Sequence, residues 1–251
     1  MNNTLNNLII FTLVGFFAQL IDGSLGMGYK VSSTTFLLSF GIPPVLASAS
    51  VHTAGVFTSA TSGLAHIKFG NVRRDLIIRL AIPGVIGGVI GALTLTQMPT
   101  EIIKPLVAIY LMVMGIIILR KALRQSSALP VTRRVVPLGL IGGFCDAIGG
   151  GGWGPIVTGT LVADGHQPRF VIGSVNTAEF FVTILQAATF LTVLGTASWE
   201  AVAGLIIGGV PAAAASAYIS KRLPAQRLML FIGVLIIILS LRTFYIAVTG
   251  Q

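Results

Sequence analysis

The stretch that decides the fold is Gly142-Gly143-Phe144-Cys145-Asp146-Ala147-Ile148-Gly149-Gly150-Gly151-Gly152-Trp153-Gly154-Pro155, a glycine run between two apolar segments. Non-helical backbone finds no hydrogen-bond partners in lipid, so at membrane depth it persists only where it is buried in protein or lines a cavity. Pro155 suits the first turn of a new helix, where its missing N–H is no loss. The spacing therefore predicts a broken or re-entrant helix pair, 136–148 and 155–163, with its elbow at the glycines. A shorter version stands earlier as Gly23-Ser24-Leu25-Gly26-Met27-Gly28-Tyr29-Lys30. Matching Gly26-Met27-Gly28 to Gly152-Trp153-Gly154 predicts a duplicated chain. Ser50-Val51-His52-Thr53-Ala54 then aligns with Ser174-Val175-Asn176-Thr177-Ala178, and Pro83 and Pro99 with Pro211 and Pro224. Short apolar elbows in corresponding places of two halves point to a transporter binding site.

Composition agrees with a membrane setting. Hydrophobic side chains make up 54% of the chain, charged ones 9%, and the mean hydropathy is +0.93, where a soluble domain carries roughly a quarter charged residues. The net charge of +9 sits in short loops between apolar segments, the pattern that sets topology, and leaves no soluble surface for a nucleic acid. The start of the chain lacks the basic segment of a secretory leader and is read as part of the mature protein. Cys145, the single cysteine, excludes an intrachain disulfide and reads as a small buried hydrophobe. His52 has no second His or Cys at ligand spacing, so neither a metal nor a cofactor is expected.

Three apolar segments follow each elbow, 45–65, 76–96 and 102–119 in the first half and 170–194, 201–219 and 228–248 in the second, each near the roughly 20 residues of a membrane span. An odd number per half inserts the second half upside down. Loops 66–79, 120–134, 164–169 and 220–227 then share one face and hold 13 of the 16 Lys and Arg. By the positive-inside rule that face is cytoplasmic, which puts both termini on the outer side of the cell (inner) membrane. The expected organisation is a first transmembrane repeat over 1–124, a cytoplasmic linker over 125–134 and a second repeat over 135–251. The expected fold class is an all-α polytopic membrane protein of two inverted repeats, each a Gly-elbow re-entrant or broken helix pair plus three transmembrane helices.

The helix after each elbow carries a polar stripe, with His52, Gly55 and Ser59 matching Asn176, Glu179 and Thr183 at spacings that share one helical face. Such a stripe beside an elbow lines a cavity, although small polar residues also serve as hydrogen-bonding glue between helices. Glu179 lies deep in its span, where an ionisable side chain is a functional candidate by default, and histidine is the side chain type that serves as a proton carrier at physiological pH, which singles out His52; these two are the proton-coupling candidates. Lys30 follows the first elbow, placed either to meet an anion or to pair with Asp22. Asp22 and Asp146 flank the elbows and suit capping of the half-helices that follow. Those half-helices would point their unpaired N–H groups and positive dipole ends inward, which favours an anion.

At Asp22 to Tyr29, Ser48 to Ala54, Gly142 to Pro155 and Gly173 to Phe181 the chain resembles the sulfite exporter TauE/SafE family, also grouped as the TSUP permeases. The resemblance implies transport of small sulfur-containing anions such as sulfite, thiosulfate or organosulfonates, by exporters or importers. This chain departs from its nearest resemblances in having Lys30 where a small residue is usual and Gly55 where an acidic one is. The expected function is export of such an anion by alternating access between the elbows. Gly26, Gly28, Gly152 and Gly154 supply backbone donors, Lys30 a cation, and Ser50, His52, Thr53, Ser174, Asn176 and Thr177 orient the ligand beside a wall formed by Trp153. The expected partners are a small anionic substrate and the lipid bilayer, with a homodimer left open. An anion channel, or an uptake permease for another small organic anion, is the nearest rival. An intramembrane hydrolase built on Ser24 is more remote, because that serine sits in a duplicated elbow.

Overall fold

The computed structural model describes residues 2–123, 134–164, 166–219 and 225–249, and every regular element among them is a helix. All of the expected linker except Arg134 lies outside the described residues, as do Arg124, Arg133, Lys221 and Arg222 of the basic loops. The described α-helices are α1 (Asn2–Leu25), α2 (Tyr29–Ser39), α3 (Pro44–Lys68), α4 (Arg74–Gln97), α5 (Thr100–Leu123), α6 (Val135–Gly149), α7 (Gly159–Ala163), α8 (Pro168–Leu194), α9 (Trp199–Ile219) and α10 (Ala225–Thr249). A five-residue π-helical turn, Gly154–Thr158, leads into α7.

Six of these helices, α1, α4, α5, α8, α9 and α10, are long and apolar enough to cross a membrane. The sixth is not the segment expected. α3 has 25 residues, but its stripe of Ser, Thr and His lowers its hydropathy, while α1 has 24 residues and rises about 36 Å at 1.5 Å per residue. No charged residue interrupts the run from Leu8 to Ala18, and Thr12 bonds back to the Leu8 carbonyl, so the helix before the first elbow reaches full crossing length, whereas α6 before the second has 15 residues. The second elbow was read closely from sequence, since its glycines part α6 from the turn at Gly154.

The helices pack in pairs, α1 on α9, α4 on α6, α5 on α10 and α3 on α8. In α4 the exposed face carries Ile78, Ile82, Ile86 and Ile90 at four-residue spacing, one stripe of the helix turned to lipid. The opposite face carries Gly84, Gly87, Gly88 and Gly91, all buried. A Cβ on Gly143 of α6 would lie 2.1 Å from the Gly84 carbonyl oxygen, so hydrogen alone lets those two backbones touch. Small residues at contact faces are how helices associate where lipid removes the usual hydrophobic drive.

Candidate functional site

Irregular backbone inside this helical body has to satisfy its own polar groups, and the second elbow does so with side chains from neighbouring helices. Thr34 of α2 donates to the Gly150 carbonyl at 2.5 Å and Tyr110 of α5 to that of Gly151 at 2.9 Å. Lys121, near the end of α5, donates to the Pro155 carbonyl at 2.6 Å, just inside the π turn. The elbow amides are taken up from within. Gly152 and Trp153 donate to Asp146 Oδ1 at 2.9 and 3.1 Å. Asp22 accepts the Tyr29 amide at 3.3 Å in the same way, seven residues on.

Both elbows turn on a glycine four residues after that aspartate, with φ 67° at Gly26 and 63° at Gly150. This left-handed conformation is one that only glycine adopts at little cost. The elbows therefore correspond in a register two residues away from the match of Gly26-Met27-Gly28 with Gly152-Trp153-Gly154. A run of near-identical glycines aligns almost equally well at several offsets, and the aspartate and the turn decide among them. In the structural register Lys30 stands opposite Gly154. A Cβ on Gly154 would lie 2.6 Å from the Gly26 carbonyl oxygen and from Met27 Cα, so the two elbows touch backbone to backbone.

Lys30, one residue into α2, sends its side chain to the junction and is buried. Its Nζ lies 2.5 Å from Asp146 Oδ2, 2.9 Å from Glu179 Oε1 and 2.9 Å from Thr183 Oγ1. His52 Nε2 is 3.2 Å from the same Asp146 oxygen, and its Nδ1 is 2.7 Å from the Ser48 carbonyl. One ammonium thus meets two carboxylates supplied by helices of the other half, with the buried carboxyl of Asp22 close by. Gly55 packs beside this arrangement, and a Cβ there would press on Thr183 Cγ2 at 3.1 Å while meeting Lys30 Cε at an ordinary contact distance of 3.8 Å. A cavity of about 10 Å³ opens beside the cluster, lined by Gln19, Asp22, Tyr29, Lys30, Gly55, Thr58, Ser59, Ser62, Asn176 and Glu179. That is room for about one water. Asn176 Nδ2 donates to Ser62 Oγ at 3.0 Å, and its Oδ1 has no partner among the described residues.

Of the residues singled out from sequence, the structure brings together Asp22, Lys30, His52, Gly55, Ser59, Asn176, Glu179 and Thr183, with Gly152 and Trp153 touching Asp146 through their amides. The remaining side chains are engaged elsewhere. Ser50 Oγ accepts the amide of Ser198 at the start of α9, and Ser174 Oγ that of Arg73 at the start of α4, both at 2.8 Å. Thr53 and Thr177 donate to carbonyls four residues back in their own helices. The Trp153 indole packs among Leu80, Val157 and Val182 and donates to the Val175 carbonyl at 3.2 Å. Gly28 precedes α2 with φ 125°, while Gly26 and Gly154 form the backbone contact. The side chain of Ser24 lies outside the described residues. Sequence reasoning missed Gln19, Tyr29, Thr58 and Ser62 as lining residues and treated Asp146 only as a cap. The signal for two of them was available, because Gln19 and Asp22 are polar at i and i+3 in an apolar helix, and Ser62 extends the stripe of Gly55 and Ser59.

The family model described as Sulfite exporter TauE/SafE matches residues 11–243. A Bacillus subtilis (strain 168) protein named "Probable membrane transporter protein YtnM" is 43% identical over 249 residues, covering 95% of this chain and 83% of that one. A Sinorhizobium protein named "Probable membrane transporter protein ORF9" is 27% identical over 111 residues, 44% of this chain and 42% of its own. No solved structure matches.

Proposed function

The chain belongs to the TauE/SafE sulfite exporter family of multi-pass membrane transporters, and from that premise we propose that it carries a small sulfur-containing anion such as sulfite, thiosulfate or an organosulfonate by alternating access at the elbow junction. The family and the similar transporter point away from catalysis. The observation that carries the proposal is a buried ammonium, Lys30, set beside a small cavity lined by polar side chains at the place where the two elbows touch. Ionisable groups at membrane depth mark substrate or ion pathways. A cavity with room for about one water is an occluded form, which has to open for an oxyanion to enter.

Alternating access between two oppositely inserted repeats, 1–124 and 135–251 about the 125–134 linker, is the second part of the proposal. Its support is reciprocity. The first elbow's α1 packs on α9, just as the second elbow's α6 packs on α4, the counterpart of α9. Ser50 and Ser174, 124 residues apart, each hold the start of a helix in the other half. Asp22 and Asp146, at the same separation, each accept an amide seven residues on. The helix pairs and the two serine bonds cross the junction, while the two aspartates tie each elbow to itself, and rocking one half against the other would open the cavity to one side at a time. Export is the direction the family description names.

Counterflow in proteoliposomes tests the reading. Uptake of labelled sulfite, thiosulfate or sulfoacetate is expected to saturate and to speed up when the same anion is loaded inside, while sulfate serves as the selectivity arm and acetate as the carboxylate control. Flux without exchange stimulation would make the protein a channel. Exchange confined to acetate would sink the sulfur-anion assignment.

A further inference from the structure

Resting on the transport reading above, we propose that Glu179 is a built-in stand-in for the substrate: its carboxylate occupies Lys30 in the closed form, and an anion takes its place there as Glu179 accepts a proton. The two acidic partners of Lys30 are held very differently. Asp146 is fixed on both oxygens, with Oδ1 receiving the amides of Gly152 and Trp153 and Oδ2 receiving Lys30 and facing His52. It cannot leave without unmaking the elbow. Glu179 makes one polar contact among the described residues, to Lys30 at 2.9 Å. It also lines the cavity, so it is the partner free to swing away and the one whose departure enlarges the space.

Space and charge then lead to the same exchange. With about 10 Å³ beside it, the junction cannot take an oxyanion while the carboxylate stays. Seating an anion on Lys30 leaves the displaced carboxylate without a cation at membrane depth, a costly state that a proton removes. The ionisable groups turned toward this pair are Asp22 from α1, Tyr29 from α2, His52 from α3 and Asp146 from α6. Two of these groups, Asp22 and Asp146, are carboxyls that with Glu179 surround a single ammonium, so among the described residues the junction has no second cation to balance an added anion and a proton has to serve instead. Asn176 is a ready second contact. One end of its amide is unpartnered at 1% exposure, and turning the amide over gives Ser62 an oxygen to bond and the anion an N–H donor. One proton then travels with each anion, in whichever direction the gradients drive.

The test measures equilibrium binding of labelled thiosulfate and of sulfoacetate to the purified full-length protein across neutral pH, where neither anion takes up a proton itself. For the wild type, affinity is expected to fall about tenfold per pH unit on the alkaline side, as linkage to one bound proton requires. Glu179→Gln leaves Lys30 paired with Asp146 and removes the competing carboxylate, so it should bind at least threefold more tightly than wild type at alkaline pH, with a flat pH profile. Lys30→Met combined with Glu179→Gln removes cation and competitor together, keeps the pocket free of an orphaned carboxylate at that position, and should bind at least tenfold more weakly than Glu179→Gln alone. An internal pH dye in proteoliposomes should report acidification with wild-type anion entry and none with Glu179→Gln. Weaker binding in Glu179→Gln, a retained pH slope, or undiminished binding in the double variant would each overturn the proposal. If the wild type binds neither anion and exchanges none of the panel, the failure lies in the substrate reading.

Discussion

Asp146 divides its two oxygens between structure and charge, one bonded to the amides that begin the half-helix and the other to Lys30 and His52. Cutting such a buried pair on one side is far more costly than never having made it, because the surviving charge has no compensation. Asp146→Asn is therefore expected to lower stability by about 3 kcal/mol. Asp75→Asn, which breaks an ion pair to Arg73 with both side chains about half exposed, should change it by less than about 1 kcal/mol. Thermal unfolding of the two variants in one detergent separates them, and equal shifts would contradict the hub role of Asp146. The residues of this hub were legible as polar positions in apolar helices. Their partners were not, because Lys30 and Asp146 are 116 positions apart in the chain, and nothing in their neighbourhoods tells Asp22 from Asp146 as the lysine's counter-ion.

At the scale of elements, the boundaries at the second elbow followed from glycine and proline. The expected pair 136–148 and 155–163 compares with Val135–Gly149 and Gly154–Ala163 in the structure. Both serines of the aligned Ser-Val-x-Thr-Ala motif were read as ligand contacts, and in the structure each accepts the amide of the residue just before a helix of the other half. Helix starts leave backbone donors unsatisfied, and in a bilayer water is not there to satisfy them. Ser50→Ala and Ser174→Ala are each expected to cost about 1 kcal/mol of stability with the anion dissociation constant within twofold of wild type. A large loss of affinity at unchanged melting temperature would instead return those hydroxyls to the binding site. Sequence could not separate the two roles, since a serine on the polar face of a buried helix has the same local pattern whether it meets a ligand or an amide.

For the whole molecule, the distribution of Lys and Arg sets the expected sidedness, with the end of α3 in the cytoplasm and the start of α9 outside. In a Cys145→Ala background, Lys68→Cys should react with a membrane-impermeant thiol reagent only after permeabilisation, and Thr196→Cys in intact cells. Reaction of both from the same side would end the inverted arrangement. The amino-acid sequence by itself determined that this is a helical membrane protein with two glycine elbows, because hydropathy, span length and the intolerance of lipid for bare backbone act locally along the chain. Tertiary structure alone decided that the elbows touch backbone to backbone and that Lys30 is shared by Asp146 and Glu179. Those outcomes depend on which helices meet, and ion pairing at membrane depth is settled by distance in space, of which separation along the chain carries no record.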